Sequence, residues 1–163
     1  MLNYIGIVED KFRSYQCEVV NLGLIDNPKK AIIAGHDFGK ADVDIVFLYV
    51  TTYALSSTVL PVVQRARVTV IILNLSPKAS IQYRAFNAMN DRTKMTGEWL
   101  SYSSACPVPE IANIPHHYAT FHQVTGMLHN DEECWNEIEE WIAAAKVANI
   151  MFHNRMGAKG HYY

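Results

Sequence analysis

No two of the three cysteines, Cys17, Cys106 and Cys134, stand at C-x-x-C spacing, and an odd number of thiols closes no disulfide framework. A cysteine-built zinc site and a disulfide-stapled fold are therefore excluded, and the three read as reduced, mostly buried thiols. Long apolar runs are missing too. Val43 to Val50, interrupted by Asp44, and Val68 to Leu75 fall far short of the ~20 residues a bilayer demands, so no membrane partner is expected. Charge of one sign is not in excess either: a formal net charge of −2 leaves no basic surface to draw in phosphates, which argues against nucleic acid as a partner. The start, Met1 to Gly6, lacks both the basic flank and the apolar core of a secretory signal, so the expected location is cytoplasmic.

Several catalytic signatures are also absent. No G-x-G-x-x-G or G-x-S-x-G stretch occurs. Gly35-His36-Asp37-Phe38-Gly39-Lys40 has the look of a phosphate loop, but Ala34 stands where a Walker loop needs glycine and Ala41 where it needs a hydroxyl. The segment reads instead as a helix end with a glycine stop. His116, His117 and His122 invite a metal, yet no acid or thiol at helical spacing completes the set, and surface loop histidines are the plainer reading. Cys106, before Pro107, is the least implausible thiol nucleophile, but so many Ser-His-Asp or Cys-His sets could be assembled that composition alone selects none.

What is present describes a compact domain. The chain has 163 residues, half of them apolar, a size at which folding hides roughly 70% of the surface of the unfolded chain. Valine- and leucine-rich Cys17 to Leu24 reads as a strand closed by Gly23 and Asp26-Asn27-Pro28. Asp26 or Asn27 can then cap a helix from Pro28 to about Lys40. Val43 to Val50 and Val68 to Leu75 are apolar on both faces, as central strands covered by helices must be. Between them Ser56 and Ser57 offer caps for a helix to about Ala66.

A weakly periodic stretch from Lys78 to Asn90 leads to a helix from Arg92 to about Ser104, and prolines leave only a short helix around Glu110 to Asn113. Phe121 to Thr125 alternates as a further strand. Asp131 caps a helix to about Val147, with Trp135, Ile138, Ile142 and Ala145 at helical spacing. Its acidic residues read as a solvated face, and Trp99, Trp135 and Trp141 as core or subunit-interface anchors. Ile150 to Phe152 reads as the start of another strand, which places a first domain at 1–148 and the beginning of a second at 149–163.

This alternation predicts an α/β fold: a Rossmann-like, doubly wound, mainly parallel sheet with helices on both faces. Ligands then lie beyond the carboxyl ends of the strands, where Thr51, Thr52 and Tyr53, Asn74, and Asn90 to Lys94 offer hydroxyls, amides and a cation suited to a polyol.

Four segments, Val43 to Ser57, Val68 to Leu75 with its following loop, Asn90 to Trp99 (NDRTKMTGEW) and Asn149 to Gly157 (NIMFHNRMG), together resemble the amino-terminal part of the L-arabinose and L-fucose isomerase family, especially its arabinose-isomerase-like branch. The likeness covers the chain from about residue 15 onward and rests on the order and spacing of several segments. It implies a metal-dependent aldose–ketose isomerase, usually working with Mn2+, whose two glutamate and two histidine ligands belong to later domains, so that none is bound by this chain. This part would supply contacts to a pentose or deoxyhexose substrate and an interface in a homo-oligomer.

By the same resemblance Tyr53 falls at the aromatic of the family's H-T-F-S-P stretch, with Thr52 beside it. Asn90, Asp91 and Lys94 fall on its N-Q-x-x-H segment, lysine standing where the family has histidine. The family's R-F-G-D-N-M loop falls on Arg155, Met156, Gly157 and onward to Gly160, and Tyr4 to Val8 would be the remnant of its first strand. The expected function is the non-catalytic amino-terminal domain of such an isomerase; the alternative is a stand-alone sugar-binding or assembly module.

Overall fold

The computed structural model describes residues 2–51, 55–66, 68–102 and 121–154. In chain order the elements are α1 (Leu2–Ser14), α2 (Pro28–Phe38), β1 (Ile45–Tyr49), α3 (Ser56–Arg65), β2 (Thr69–Ser76), α4 (Tyr83–Asn87), α5 (Arg92–Leu100), β3 (Phe121–Met127) and α6 (Glu132–His153). The three strands form one parallel sheet in the order β1-β2-β3, with Phe47 beside Ile71 and Ile71 beside His122. Parallel neighbours need a crossover between them, and α3 supplies it from β1 to β2.

Helices lie against both faces of the sheet because β2 is apolar on both. Ile71, Leu73 and Leu75 point to one side, where Val8 and Phe12 of α1 and Trp135, Ile138 and Ile142 of α6 cover them. Val70 and Ile72 point to the other, against Val59 and Val63 of α3. Behind α3 lies α2, whose Ala31 and Ala34 pack on Val62. The close approach of the two helices depends on Gly35, where a Cβ would stand 2.9 Å from the Pro61 carbonyl oxygen.

Local chemistry explains most of the element ends. Asn27 takes the N-cap of α2 by accepting from Lys30 N–H at 3.0 Å, and Pro28 occupies the first turn, where its missing N–H costs nothing. Asp131 caps α6 with one carboxylate oxygen, 3.1 Å from Cys134 N, and with the other accepts from Met127 N at 2.8 Å. One side chain thus ties the end of β3 to the start of α6. The turn is tight: a Cβ on Gly126 would sit 2.6 Å from Asp131 Oδ2 and from Cys134 Cβ.

Four expectations are corrected. Tyr4 to Val8 is helical, because Tyr4, Val8 and Phe12 recur every fourth residue and turn one face of α1 to the core. Cys17 to Leu24 belongs to no strand, Gly23 at φ +76° breaks it near its end, and no backbone hydrogen bond joins it to β1. Ile150 to Phe152 continues α6, which runs without a break through residue 149, since neither glycine nor proline interrupts it. At the start of α3 the N-cap is Leu55, with no side-chain cap, where Ser56 and Ser57 were expected to serve. The weakly periodic stretch contains the short α4, and the short helix expected around Glu110 to Asn113 lies outside the described residues. No helix among the described residues is long and apolar enough to cross a membrane.

Two glycine substitutions should move stability in opposite directions. Gly126→Ala drives a Cβ into Asp131 and Cys134 and should destabilise by about 1–3 kcal/mol. Gly97→Ala, inside α5 with nothing within 4 Å of the added atom, should stabilise by roughly 0.5–1 kcal/mol. Urea midpoints at unchanged m-value measure both.

Candidate functional site

Because the strands are parallel, their carboxyl ends meet at one rim, and what gathers there is set by the residues that end each strand. Tyr49 ends β1, and its hydroxyl donates to the Leu75 carbonyl at 3.5 Å. Ser76 ends β2 and donates to the Gly126 carbonyl at 3.3 Å, while its own carbonyl accepts from Leu128 N at 2.9 Å. Asn74 donates to Thr125 Oγ1 at 3.4 Å across the β2–β3 pair.

Two further tyrosines join the rim from elsewhere in the chain. Tyr102, just past α5, donates to the Ser80 carbonyl at 3.3 Å, in the loop that leaves β2. Tyr4, in the first turns of α1, stands close enough to Tyr49 and Tyr102 that its charge would oppose ionisation of either. Burial first, and this neighbour second, push the Tyr49 phenol up to about 12. Burial followed by Glu98 and Tyr4 raises Tyr102 as well. Both phenols stay protonated at neutral pH, as donors with an aromatic face.

At the end of β1, where Tyr49, Val50 and Thr51 line it, lies a cleft of about 1060 Å3 that runs along the outer edge of that strand. Val8 and Phe12 of α1, Val19 and Leu22 of the segment between α1 and α2, and Phe47 and Tyr49 of β1 line it. Phe12 and Phe47 pack at 4.6 Å between ring centroids on its inner wall. A cleft of this size reaching the carboxyl end of β1 lies where parallel sheets place their ligands.

Of the residues expected from sequence, Thr51 lines the cleft and is half-buried. Thr52, Tyr53, Arg155, Met156, Gly157 and Gly160 lie outside the described residues, as do Cys106, His116 and His117. Asn90, Asp91 and Lys94 are brought together at the start of α5, where Asp91 caps the helix by accepting from Thr93 N at 2.9 Å and Lys94 N at 3.2 Å. Lys94 Nζ lies 3.9 Å from the same carboxylate with its side chain 79% exposed, a pair that contributes little in water. The ties between α5 and the rim run through its other end, Tyr102 to Ser80 and Glu98 to Lys78. Sequence reasoning missed Tyr4 and Tyr102; the four-residue repeat of Tyr4, Val8 and Phe12 signalled an inward helix face, and nothing local marks Tyr102.

His122 is spent on a contact between β3 and α6: its Nε2 lies 2.9 Å from Glu137 Oε1 and its ring 5.1 Å from that of Trp141. Among the described residues no three His, Cys, Asp or Glu side chains stand where they could hold a metal ion, so those residues do not fit Mn2+ and no step is routed through it. Cys134 is buried, and burial, followed by Asp131 and Glu137, pushes its thiol up to about 11. No family model, curated protein or solved structure matches the chain.

The Tyr49 phenol gives the fold an alkaline signature. Its folded value lies above the unfolded value near 10, so its contribution is complete below pH 10 and is lost as pH climbs from about 10 through about 12. Tyr49→Phe should flatten that loss, read as unfolding free energy against pH, while absorbance at 295 nm should show one phenol fewer ionising late.

Proposed function

We propose that this chain is a non-catalytic, sugar-binding α/β domain similar to the amino-terminal domain of L-arabinose and L-fucose isomerases, holding an open-chain pentose or deoxyhexose at the carboxyl rim of its sheet. On this reading the fold is of the doubly wound, Rossmann-like class, supported by helices on both faces of a parallel sheet. The observation that carries the proposal is Tyr49, which lines the cleft at the end of β1 and reaches the Leu75 carbonyl, with Tyr4 near enough to act on both Tyr49 and Tyr102. Neutral phenols donate hydrogen bonds to sugar hydroxyls and present apolar faces to sugar C–H groups, which suits a ligand dense in hydroxyls.

On the same reading the proton transfer between C1 and C2, and the Mn2+ that assists it, belong to residues outside this chain. A cytoplasmic homo-oligomer completes the proposal, and the exposed Ile150, Met151 and Phe152 on α6 are available for subunit contact.

Calorimetric titration with L-arabinose, L-fucose and ribitol, without added metal, tests the reading. Binding is expected, with Tyr49→Phe and Tyr102→Phe each weakening it roughly 3- to 10-fold by removal of one donor. Absence of heat with all three ligands would sink the sugar reading. In a parallel assay with Mn2+, turnover that persists through stringent purification would overturn the non-catalytic assignment.

A further inference from the structure

Among the described residues no strand pairs with the outer edge of β1. Val50 N–H donates to the Leu73 carbonyl, so Val46, Leu48 and Val50 turn their peptide groups toward β2. Alternation along a strand then turns those of Ile45, Phe47 and Tyr49 the other way, into the cleft. Across that cleft stands the segment from Cys17 to Leu22, with side chains already sorted as a strand would sort them. Cys17 and Val19 pack into the same cluster as Phe47 and Tyr49, while Leu22 packs toward α2 and α3. Residues 15–20 alternate half-buried and exposed without a break.

We propose that Cys17–Leu22 is a strap that closes on the free edge of β1 as a fourth parallel strand, and that a bond between Asn21 and Glu9 holds it in the open position seen here. Connection geometry supports this occupant independently. The order strap, α2, β1 is a strand–helix–strand crossover advancing across the sheet in the same direction as β1, α3, β2. Right-handedness then requires both crossover helices on one face, and α2 does pack beside α3.

The two ends of the strap are anchored. Tyr15 donates to the Trp135 carbonyl at 3.3 Å and its own carbonyl accepts from Lys146 at 2.6 Å, while Asn27 caps α2 at the far end. In the middle, Asn21 donates to Glu9 of α1 and accepts from Gly23 N at 2.7 Å, which keeps this stretch against α1. Gly23, at φ +76°, takes the left-handed conformation that ends the strand-like run. Val20 is 45% exposed in this position, an apolar side chain on a segment built to be covered. The side-chain parity of the strap places the N–H of Glu18, Val20 and Leu22 toward β1 when it closes. Closure fills the cleft, so the strap gates whatever ligand the cleft admits.

Amide hydrogen exchange on the full chain, resolved by NMR, tests this. In the parent chain, held open, the Phe47 and Tyr49 amides should show little protection, and Asn21→Ala, which removes the latch, should raise the closing constant roughly tenfold and bring measurable protection at both. Val20→Pro, which deletes a donor facing β1, should abolish protection at Phe47 and Tyr49 in the Asn21→Ala background, while the amides of Val70 and Ile72 in β2 stay protected and report an intact sheet. Phe47 and Tyr49 exchanging without protection in both the parent chain and Asn21→Ala would overturn the proposal. So would protection that Val20→Pro leaves unchanged.

Discussion

Every other part of the structure leans on the demand that β2 be buried on both faces. Val70, Ile71, Ile72 and Leu73 are fully buried. A strand so placed has no water for its backbone, so its N–H and C=O groups must be paired from both sides, which requires a neighbour on each edge. β1 and β3 meet that requirement, and the apolar faces of β2 in turn require a helix layer above and another below. Each large side chain taken fully out of water contributes about 1.5–3 kcal/mol, so the central strand concentrates the stabilisation that the edges and helices share. Both strand pairs are parallel, so every strand starts at the same end of the sheet, which is why all three carboxyl ends form one rim.

The three strands do not share this demand equally, and the difference locates the cleft. β2 is satisfied on both edges, whereas the outer edge of β1 faces a segment that no backbone bond attaches to it. An unpaired edge beside apolar walls is a place where another chain segment or a ligand gains by entering. The neighbouring helices cannot close it themselves: α1 is fixed on the sheet by Phe12 against Phe47, and α2 is fixed on α3 by the close approach at Gly35. Among the described residues, the segment between those two helices has the length and the side-chain pattern to do so.

Much of this architecture was legible because the signals are local. Val43 to Val50 and Val68 to Leu75 carry unbroken apolar runs, and Asp131 with the Trp135, Ile138, Ile142 spacing marks a capped amphipathic helix; the structure has β1, β2 and α6 there. What failed has identifiable physical reasons. Ile150 to Phe152 looks like a strand by composition, but a well-capped helix propagates at little cost until something stops it, and the three side chains end largely exposed. Cys17 to Leu24 has strand alternation, yet pairing is a property of two segments and cannot be read from one. At the rim, Asn74 was foreseeable from its strand end alone, whereas Tyr49 was read only as part of its strand. Tyr4 and Tyr102 meet them only through tertiary packing, which no window of sequence contains. Asp91 was singled out for a ligand and serves α5 as its cap, since an acid just before a helix satisfies two backbone N–H groups at once.

The chemistry available at the rim follows from the direction in which its groups are pushed. A site that moves protons pairs groups whose environments drive their titrations apart, so that one accepts while the other donates near neutral pH. Here Tyr49 and Tyr102 are both driven upward, chiefly by burial. They remain donors throughout the physiological range, and neither can take a proton from carbon. Such groups hold and orient a hydroxyl-bearing ligand, because a neutral donor in a partly dry setting loses little on binding and leaves no charge behind when the ligand departs. On the proposed reading, these phenols recognise the ligand and any reaction is performed by groups beyond the rim.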